Sequence, residues 1–241
     1  MKTLPAALRG KKCLLFLDLE GTQYSHEMIE IGAYKVVTKE DGSIKKVFPP
    51  YHAYVLAKHH VGPFVSKLTG LSDLKIRREG ISFRQVQKQL KGYLGKDYEH
   101  CVPIAYGNED AHIFLCSAEN NMDASMDEAR AFARRFFDYA EFFGQYVRGA
   151  DGNIMSLTRA LNAMGVQFAG EAHSAQDDAF NLLQLHKAFL EKPDLILKYY
   201  KYALSRNPRV PKPVRRLIER LNAGETVTPE MWNALTLEDM Q

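Results

Sequence analysis

Two apolar segments near the start of the chain predict neighbouring β-strands. Residues 12–19 contain an uninterrupted apolar run of the kind that a buried strand needs. In residues 26–37, Ile29, Ile31 and Ala33 alternate with more polar neighbours, which is the period of a strand with one buried face. The chain therefore begins with two strands of one sheet.

A turn and two short segments extend this sheet. Asp41-Gly42 is a strong two-residue hairpin signal. It leads into a third predicted strand over residues 43–48, and residues 51–56 extend the same edge. The start of the chain thus predicts a strand meander.

From Ser66 onward the pattern becomes mostly helical. Apolar residues recur at helical spacing over residues 82–94, with Ser82 as the candidate N-cap. Residues 102–106 predict one more short strand, and residues 136–143 are apolar enough to be buried. The other predicted helices cover residues 110–116, 127–137, 156–164 (stopped at Gly165) and 175–190.

Strands followed by alternating strands and helices favour an α/β fold, with helices packed around a mixed sheet. After Pro193, helical patterns recur near residues 194–204 and 213–222 among several further prolines. We therefore predict a main domain over residues 1–192 and a small helical C-terminal extension over residues 193–241.

Composition narrows the class of protein. With 241 residues, of which 46% are hydrophobic, the chain can bury a substantial core, and no apolar run is long enough to span a membrane. Residues 1–12 lack the apolar core of a signal peptide. Three scattered cysteines are too few for a disulfide framework or a cysteine-rich zinc site. We expect a cytoplasmic protein with reduced thiols, and the sequence indicates no particular protein partner.

The net charge of +3 is mild, but basic residues are concentrated in residues 198–220. This segment contains eight basic residues and one acidic residue, Glu219. Such a stretch could attract a polyanion. It could also be the solvated face of a helix, which is the interpretation that we favour without other evidence.

Asp18 and Glu20 follow the first predicted strand directly. Residues two positions apart in a strand point to the same face, so both carboxylates would enter one site. Two ionised carboxylates held together repel each other, and one would take up a proton unless a cation is present. A hard divalent cation with oxygen ligands removes this repulsion. The pair therefore predicts a metal-dependent site at the end of the strand.

Two later segments can complete such a site. Asp110 lies in a strand-to-helix turn, where Gly107 allows the backbone to turn sharply. His173 and Asp178 lie in a loop that runs into the long helix, and their spacing can place an imidazole and a carboxylate on one side of a cleft. Each fragment alone is common, but their order and contexts together form a specific pattern.

This pattern resembles the DEDD superfamily of 3′→5′ exonucleases, in the branch that carries a histidine base. A segment before the histidine motif, residues 161–170, is most similar to the enhanced-RNAi exoribonucleases and the bacterial sporulation-inhibitor exonucleases. Two departures stand out: Glu109 occupies a position that is often Phe, and Gly21 one that is more often Thr or Ala. The segments that carry the resemblance are residues 17–22, 107–110 and 173–179 for the three motifs, and 67–71 for the segment "LTGI".

The resemblance implies a ribonuclease-H-like α/β fold and a two-Mg²⁺ active site, in which Mn²⁺ could substitute. Asp18, Glu20 and Asp178 would bind one ion, with Asp18 bridging to a second that Asp110 holds mainly through water. His173 would be the general base. Asp177, beside Asp178, fits a helix N-terminal charge better than a ligand.

The implied substrate is a single-stranded RNA or DNA 3′ end, with RNA favoured, hydrolysed to nucleoside 5′-monophosphates. Phe64 could stack on a base or pack in the core. The alternatives are a DNA proofreading exonuclease and a nucleic-acid-binding regulatory module without turnover. The candidate substrate-binding residues are Gly21, Thr22, Leu68, Thr69 and Leu71.

Overall fold

The computed structural model describes Leu8 and residues 10–240. We predicted that residues 1–12 are not a signal peptide, and most of these residues lie outside the described part. The strands are β1 (Cys13–Gly21), β2 (Met28–Thr38), β3 (Ile44–Val47), β4 (Tyr51–Tyr54), β5 (Val102–Ala105) and β6 (Phe137–Asp138). The helices are α1 (Pro63–Thr69), α2 (Asp73–Glu79), α3 (Phe83–Leu94), α4 (Glu109–Asn120), α5 (Met126–Ala133), α6 (Tyr139–Phe143), α7 (Leu157–Ala163), α8 (Ala175–Glu191), α9 (Pro193–Arg206), α10 (Lys212–Asn222) and α11 (Pro229–Asp239).

These strands form one mixed sheet in the order β3-β2-β1-β5-β6, with β4 also paired to β2. The pairs of β1 with β2 and of β2 with β3 and β4 are antiparallel, whereas β5 runs parallel to β1 and β6 parallel to β5. Helices cover both faces. The predicted α/β class with a mixed, ribonuclease-H-like sheet is therefore confirmed.

Alternation along β1 divides the core into two layers. Leu15 and Leu17 pack on one face, against α3, α4 and α5. Leu14 and Phe16 pack on the other face, against α6, α7 and α8. Because Asp18 and Glu20 continue the even-numbered series, their side chains lie on the face that α8 covers.

The prediction of a polar face on β2 is wrong, since β2 is central and nearly all of it is buried. Its polar residues are satisfied inside the protein. Lys35 donates from Nζ to the Leu94 carbonyl at 2.8 Å and pairs with Asp97 at 2.8 Å. A buried ammonium requires such partners.

Several element boundaries differ from those predicted. The helix expected over residues 127–137 ends at Ala133, and Phe137 and Asp138 instead form the two-residue strand β6 beside β5. The helix predicted over residues 82–94 is confirmed, with Ser82 and Gln85 forming a reciprocal capping box.

The C-terminal segment contains three helices rather than two, because α11 was not predicted. Its acidic end lies against the basic helix α10: Lys212 pairs with Asp239 at 3.0 Å and Arg216 with Glu238 at 2.9 Å. Much of the basic charge of α10 is therefore balanced within the chain. The division of the chain at residue 192 stays a prediction.

None of the helices in the described part of the chain is both long and apolar enough to cross a lipid bilayer.

Candidate active site

The end of β1 places the first two carboxylates of the site. Asp18 lies opposite Gly32 and Glu20 opposite Glu30 in the antiparallel pair with β2. The register shifts between Glu20 and Gly21, so the pairing is interrupted where the second carboxylate is presented.

Asp110 reaches the same strand end from the first turn of α4. One oxygen of its carboxylate accepts the backbone N–H of Leu19 at 2.8 Å, so Asp110 is fixed between the two acidic residues of β1. The preceding turn contains Gly107 at a φ of 123°, a conformation that favours glycine. The neighbouring Glu109 is exposed and points its charge away from the core.

Asp178 and His173 reach the site from the first turn of α8 and the loop before it. The backbone N–H of His173 donates to the Asp178 carboxylate at 2.8 Å. His173 has a φ of 67°, a left-handed conformation that costs energy for a non-glycine residue and often accompanies function. Candidate ligand atoms of Glu20, His173 and Asp178 lie within 4.8 Å of one another.

Helix α8 can approach the sheet this closely because position 32 is a glycine. A Cβ at Gly32 would overlap the backbone of Gln176 in the first turn of α8. The absence of a side chain on β2 therefore sets how near Asp178 comes to Asp18 and Glu20.

Burial raises the pKa values of all four carboxyl groups, and the charges of neighbouring acids add to the effect. Burial raises the pKa of Glu20 to about 8, with the charge of Asp178 adding to the effect. Burial likewise raises the pKa of Asp110 to about 7, although the hydrogen bond from Leu19 opposes it. The pKa of Asp18 is raised well above its usual range, first by burial and then by the charge of Asp110.

For Asp178, burial again raises the pKa, and the backbone N–H of His173 partly offsets the shift. No lysine or arginine among residues 10–240 forms an ion pair with any of the four carboxylates. Clustered carboxylates without a cationic side chain fit a divalent cation that prefers oxygen ligands, such as Mg²⁺. The residues present thus fit the metal site that the sequence predicted.

Asp177, next to Asp178, hydrogen-bonds to the loop that precedes α8. Its carboxylate accepts the backbone N–H of Glu171 at 3.0 Å, which ties the loop before His173 to the start of α8. The structure thus gives Asp177 a local role at the helix N-terminus, as the sequence suggested.

The predicted substrate-binding residues fall into two groups. Leu68 is 42% exposed, and Gly21 and Thr69 are partly exposed. Thr22 and Leu71 are buried: the Thr22 hydroxyl accepts the Glu27 N–H at 2.9 Å, and Leu71 packs in a small apolar cluster. Any part that Thr22 and Leu71 play in substrate binding is therefore through the backbone shape that they maintain.

Two aromatic side chains, one in the turn after β1 and one at the start of α1, are exposed. Phe64 is 64% exposed, so the alternative that it packs in the core is wrong, and Tyr24 is 77% exposed. Gln23 connects their segments, since its N–H donates to the Val61 carbonyl at 2.9 Å and its side-chain oxygen accepts the Phe64 N–H at 3.0 Å. Tyr24 was not predicted from the sequence, although its place four residues after Glu20 was an available signal.

Solved structures of nucleases share this fold. The nuclease domain of 3′hExo, a DEDDh family member, bound to rAMP, is 18% identical with a TM-score of 0.61, covering 76% of this chain and 93% of that one. Cell-death related nuclease 4 is 16% identical with a TM-score of 0.57, covering 76% and 64%. E. coli Exonuclease I in complex with a dT13 oligonucleotide is 15% identical with a TM-score of 0.57, covering 82% and 44%. A sequence comparison with curated proteins gave no match.

The RNase_T family, described as exonuclease, matches residues 15–186, which is more than half of the chain. This range contains the strand end of β1, the start of α4 and the start of α8, the three places that supply the clustered acids. The similarity to the enhanced-RNAi and sporulation-inhibitor branch stays a prediction. The chain belongs to the RNase_T exonuclease family, which confirms the predicted assignment to the DEDD-type 3′→5′ exonucleases.

Proposed function

We propose that this exonuclease uses two Mg²⁺ ions to hydrolyse single-stranded 3′ ends, RNA in preference to DNA, and that it releases nucleoside 5′-monophosphates. The observation that carries the proposal is the cluster of four carboxylates with raised pKa values and no cationic partner in the described chain. We also propose a cytoplasmic location, since Cys13, Cys101 and Cys116 are all free thiols.

Asp18, Glu20, Asp110 and Asp178 would hold the metal ions. Mn²⁺, which also accepts oxygen ligands, could replace Mg²⁺. Two bound ions would supply electrostatic stabilisation to the attacking and leaving oxygens of a displacement at phosphorus. The Leu19 N–H holds the Asp110 carboxylate in place, so this oxygen donor is preorganised before substrate binds.

His173 would accept a proton from the attacking water through its imidazole. The side chain is exposed and lies beside Glu20 and Asp178, where solvent can reach it. An imidazole is suited to proton transfer near neutral pH. The hydrogen bond from its own backbone N–H to Asp178 fixes the position of this base relative to the carboxylates.

Tyr24, Phe64 and Leu68 would form the surface on which the terminal bases stack. Stacking on aromatic side chains suits single strands, because every base has a π-face and the contact requires no particular sequence. Gln23 keeps the Tyr24 turn and the start of α1 in register through its two hydrogen bonds. The segments that carry Tyr24 and Phe64 are therefore held together.

The preference for RNA rests on the similarity of residues 161–170 to the enhanced-RNAi enzymes. Among the structural neighbours, 3′hExo was captured with rAMP, and a 3′-exonuclease was described in 3′-end specific recognition of a histone mRNA stem-loop. Exonuclease I was captured with DNA. The choice between the two nucleic acids is therefore part of the test.

The test is a side-by-side digestion of RNA and DNA oligonucleotides of one sequence, each labelled at the 5′ end, with Mg²⁺, Mn²⁺ or EDTA. We expect a ladder that shortens from the 3′ end, with nucleoside 5′-monophosphates identified by mass spectrometry. Asp18→Asn and Asp178→Asn should each abolish digestion while the circular dichroism spectrum is unchanged. Glu128→Gln, a surface change on α5, is the matched control and should keep full activity.

Undiminished digestion by both aspartate variants would rule the proposal out. Binding of the oligonucleotides without turnover in either metal would favour the regulatory module, and faster digestion of DNA than of RNA would overturn the RNA preference.

A further inference from the structure

We propose that Glu30, together with His52, is a positioning residue that holds the first turn of α8, and with it Asp178 and His173, in the catalytic arrangement. The proposal rests on the proposed metal-dependent site and adds to it a fifth carboxylate, which is not one of the predicted ligands. Its test has a readout that does not depend on nuclease activity.

Glu30 is placed on the active-site face of β2. It lies directly opposite Glu20 in the antiparallel pair, so the two side chains share one face of the sheet. Its side chain is only 5% exposed. Its charge adds to the raised pKa values of Asp18, Glu20 and Asp178, in line with its place opposite Glu20 in the sheet.

Each oxygen of the Glu30 carboxylate already has a partner. Oε1 lies 2.7 Å from Nε2 of His52 on β4. Oε2 accepts the backbone N–H of Ala175, the first residue of α8, at 3.3 Å. Because both oxygens are engaged, we assign Glu30 to the support of the site rather than to the metal ligands.

Helix α8 needs this support because its own N-cap does not supply it. Ser174 makes no side-chain capping hydrogen bond, and the N–H groups of a first helical turn require acceptors. Glu30 provides one from the neighbouring sheet, and its negative charge suits the positive end of the helix. Asp178 lies in the same turn, three residues after Ala175, so its position depends on this anchor.

His52 completes the arrangement by orienting Glu30. Its ring packs edge-on against Tyr54 at 4.9 Å, and the Tyr54 hydroxyl accepts a hydrogen bond from Lys75 at 2.8 Å. The carboxylate is thus fixed from the β4 side as well as from the helix. Residues that orient metal ligands in this way typically change metal affinity or activity by about 10- to 100-fold when they are removed.

The hydrogen bond to the Ala175 N–H does not itself require a charged acceptor. A glutamine could accept the Ala175 N–H equally well, whereas a buried carboxylate beside four others is repelled by them. The charge would become favourable if divalent cations were bound next to it. Glu30→Gln should therefore keep the anchor and lose only the charge, and Glu30→Ala should lose both.

The experiment compares wild type, Glu30→Gln, Glu30→Ala and His52→Ala in three assays: Mn²⁺ titration by electron paramagnetic resonance, steady-state digestion of a single-stranded oligonucleotide, and thermal unfolding. For Glu30→Ala we expect kcat to fall by about 10- to 100-fold with little change in KM, and Mn²⁺ affinity to fall. Glu30→Gln should recover most of kcat but keep weakened Mn²⁺ binding, and His52→Ala should lie between them.

Asp97→Asn is the matched control, because it weakens the ion pair of the buried Lys35, which is on the same strand as Glu30 but on the opposite face of the sheet. It should lower the unfolding temperature and leave Mn²⁺ affinity and kcat unchanged. If Glu30→Ala behaves like this control, with only its unfolding temperature lowered, the positioning role is overturned. If wild type digests no nucleic acid, the proposed function fails, but the Mn²⁺ titration of the same variants still decides the role of Glu30.

Discussion

Glu20→Gln should stabilise the metal-free protein near neutral pH, although it removes a side chain of the candidate active site. Burial raises the pKa of Glu20 from 4.5 to about 8 in the folded state. Between these values the folded protein keeps a proton that the unfolded chain has released. The free energy of unfolding therefore falls as pH rises, by about 1.4 kcal/mol per pH unit for this one group.

Between about pH 5.5 and pH 7.5 this slope amounts to roughly 3 kcal/mol, which is a large part of the stability of a typical domain. Glutamine binds no proton, so the variant lacks this contribution. Its stability should depend less steeply on pH, and in EDTA it should exceed that of wild type at the upper end of the range.

Saturating Mg²⁺ should make wild type more stable than Glu20→Gln. A ligand that binds only the folded state stabilises it by about 2.7 kcal/mol at a hundredfold excess over its Kd. Wild type should gain this stabilisation, whereas Glu20→Gln has lost one of the oxygens that would hold the ion. The comparison therefore links the repulsion among the carboxylates to the cation that would relieve it.

The assay is urea unfolding followed by far-UV circular dichroism over a pH series, with EDTA or with Mg²⁺. Glu128→Gln on α5 is the control, because its side chain is 42% exposed and lies outside the cluster. Equal pH slopes for wild type and Glu20→Gln in EDTA would refute the reasoning, as would a metal-free wild type that becomes more stable from pH 5.5 to pH 7.5.

Three further predictions concern other parts of the molecule. Burial lowers the pKa of His186 from 6.5 to about 4, so between these pH values the unfolded chain binds a proton that the folded state does not, and the free energy of unfolding should fall as pH drops. His186→Leu should make this fall less steep in urea unfolding. An unchanged pH profile of the variant would contradict the prediction. Ser82→Ala removes the capping box of α3 and should lower the free energy of unfolding by about 1 kcal/mol, as measured by chemical denaturation. An unchanged denaturation midpoint would disprove this. Tyr24→Ala and Phe64→Ala should each raise the KM for a single-stranded oligonucleotide roughly tenfold with kcat nearly constant, because base stacking contributes about 1–3 kcal/mol; an unaltered KM in both variants would exclude the stacking surface.

The strongly patterned segments were predictable from the sequence. The apolar run before Asp18 and the cap at Ser82 are local signals, and they placed β1 and α3 correctly. The acidic motifs were also readable, because each follows a predicted strand or begins a predicted helix. Their convergence is a consequence of the sheet order, in which β5 lies next to β1.

Other features depend on tertiary contacts that no local pattern records. The two-residue strand β6 forms only because β5 lies beside it. Helix α1 has no buried residue and α11 only Leu235, so neither carries an apolar stripe that could be recognised. The proline at the start of each helix was the available signal.

Glu30 was missed for a related reason. In the sequence it is one polar residue among the apolar residues of β2, and alternation suggested that it faces solvent. Because β2 is covered on both faces, the same position is buried against α8. Burial of this carboxylate can be recognised only when the helix that covers it is known.

The candidate active site allows no side chain larger than hydrogen at position 32. A hydrogen atom is the only substituent that fits between the strand and Gln176. A single added methyl group would therefore displace the start of α8 away from the sheet, and Asp178 and His173 would move with it. Enlarging this residue is therefore expected to reduce catalysis, together with the loss of stability that overpacking a buried strand brings. The spacing of the candidate active site is set by an atom that carries no chemistry of its own.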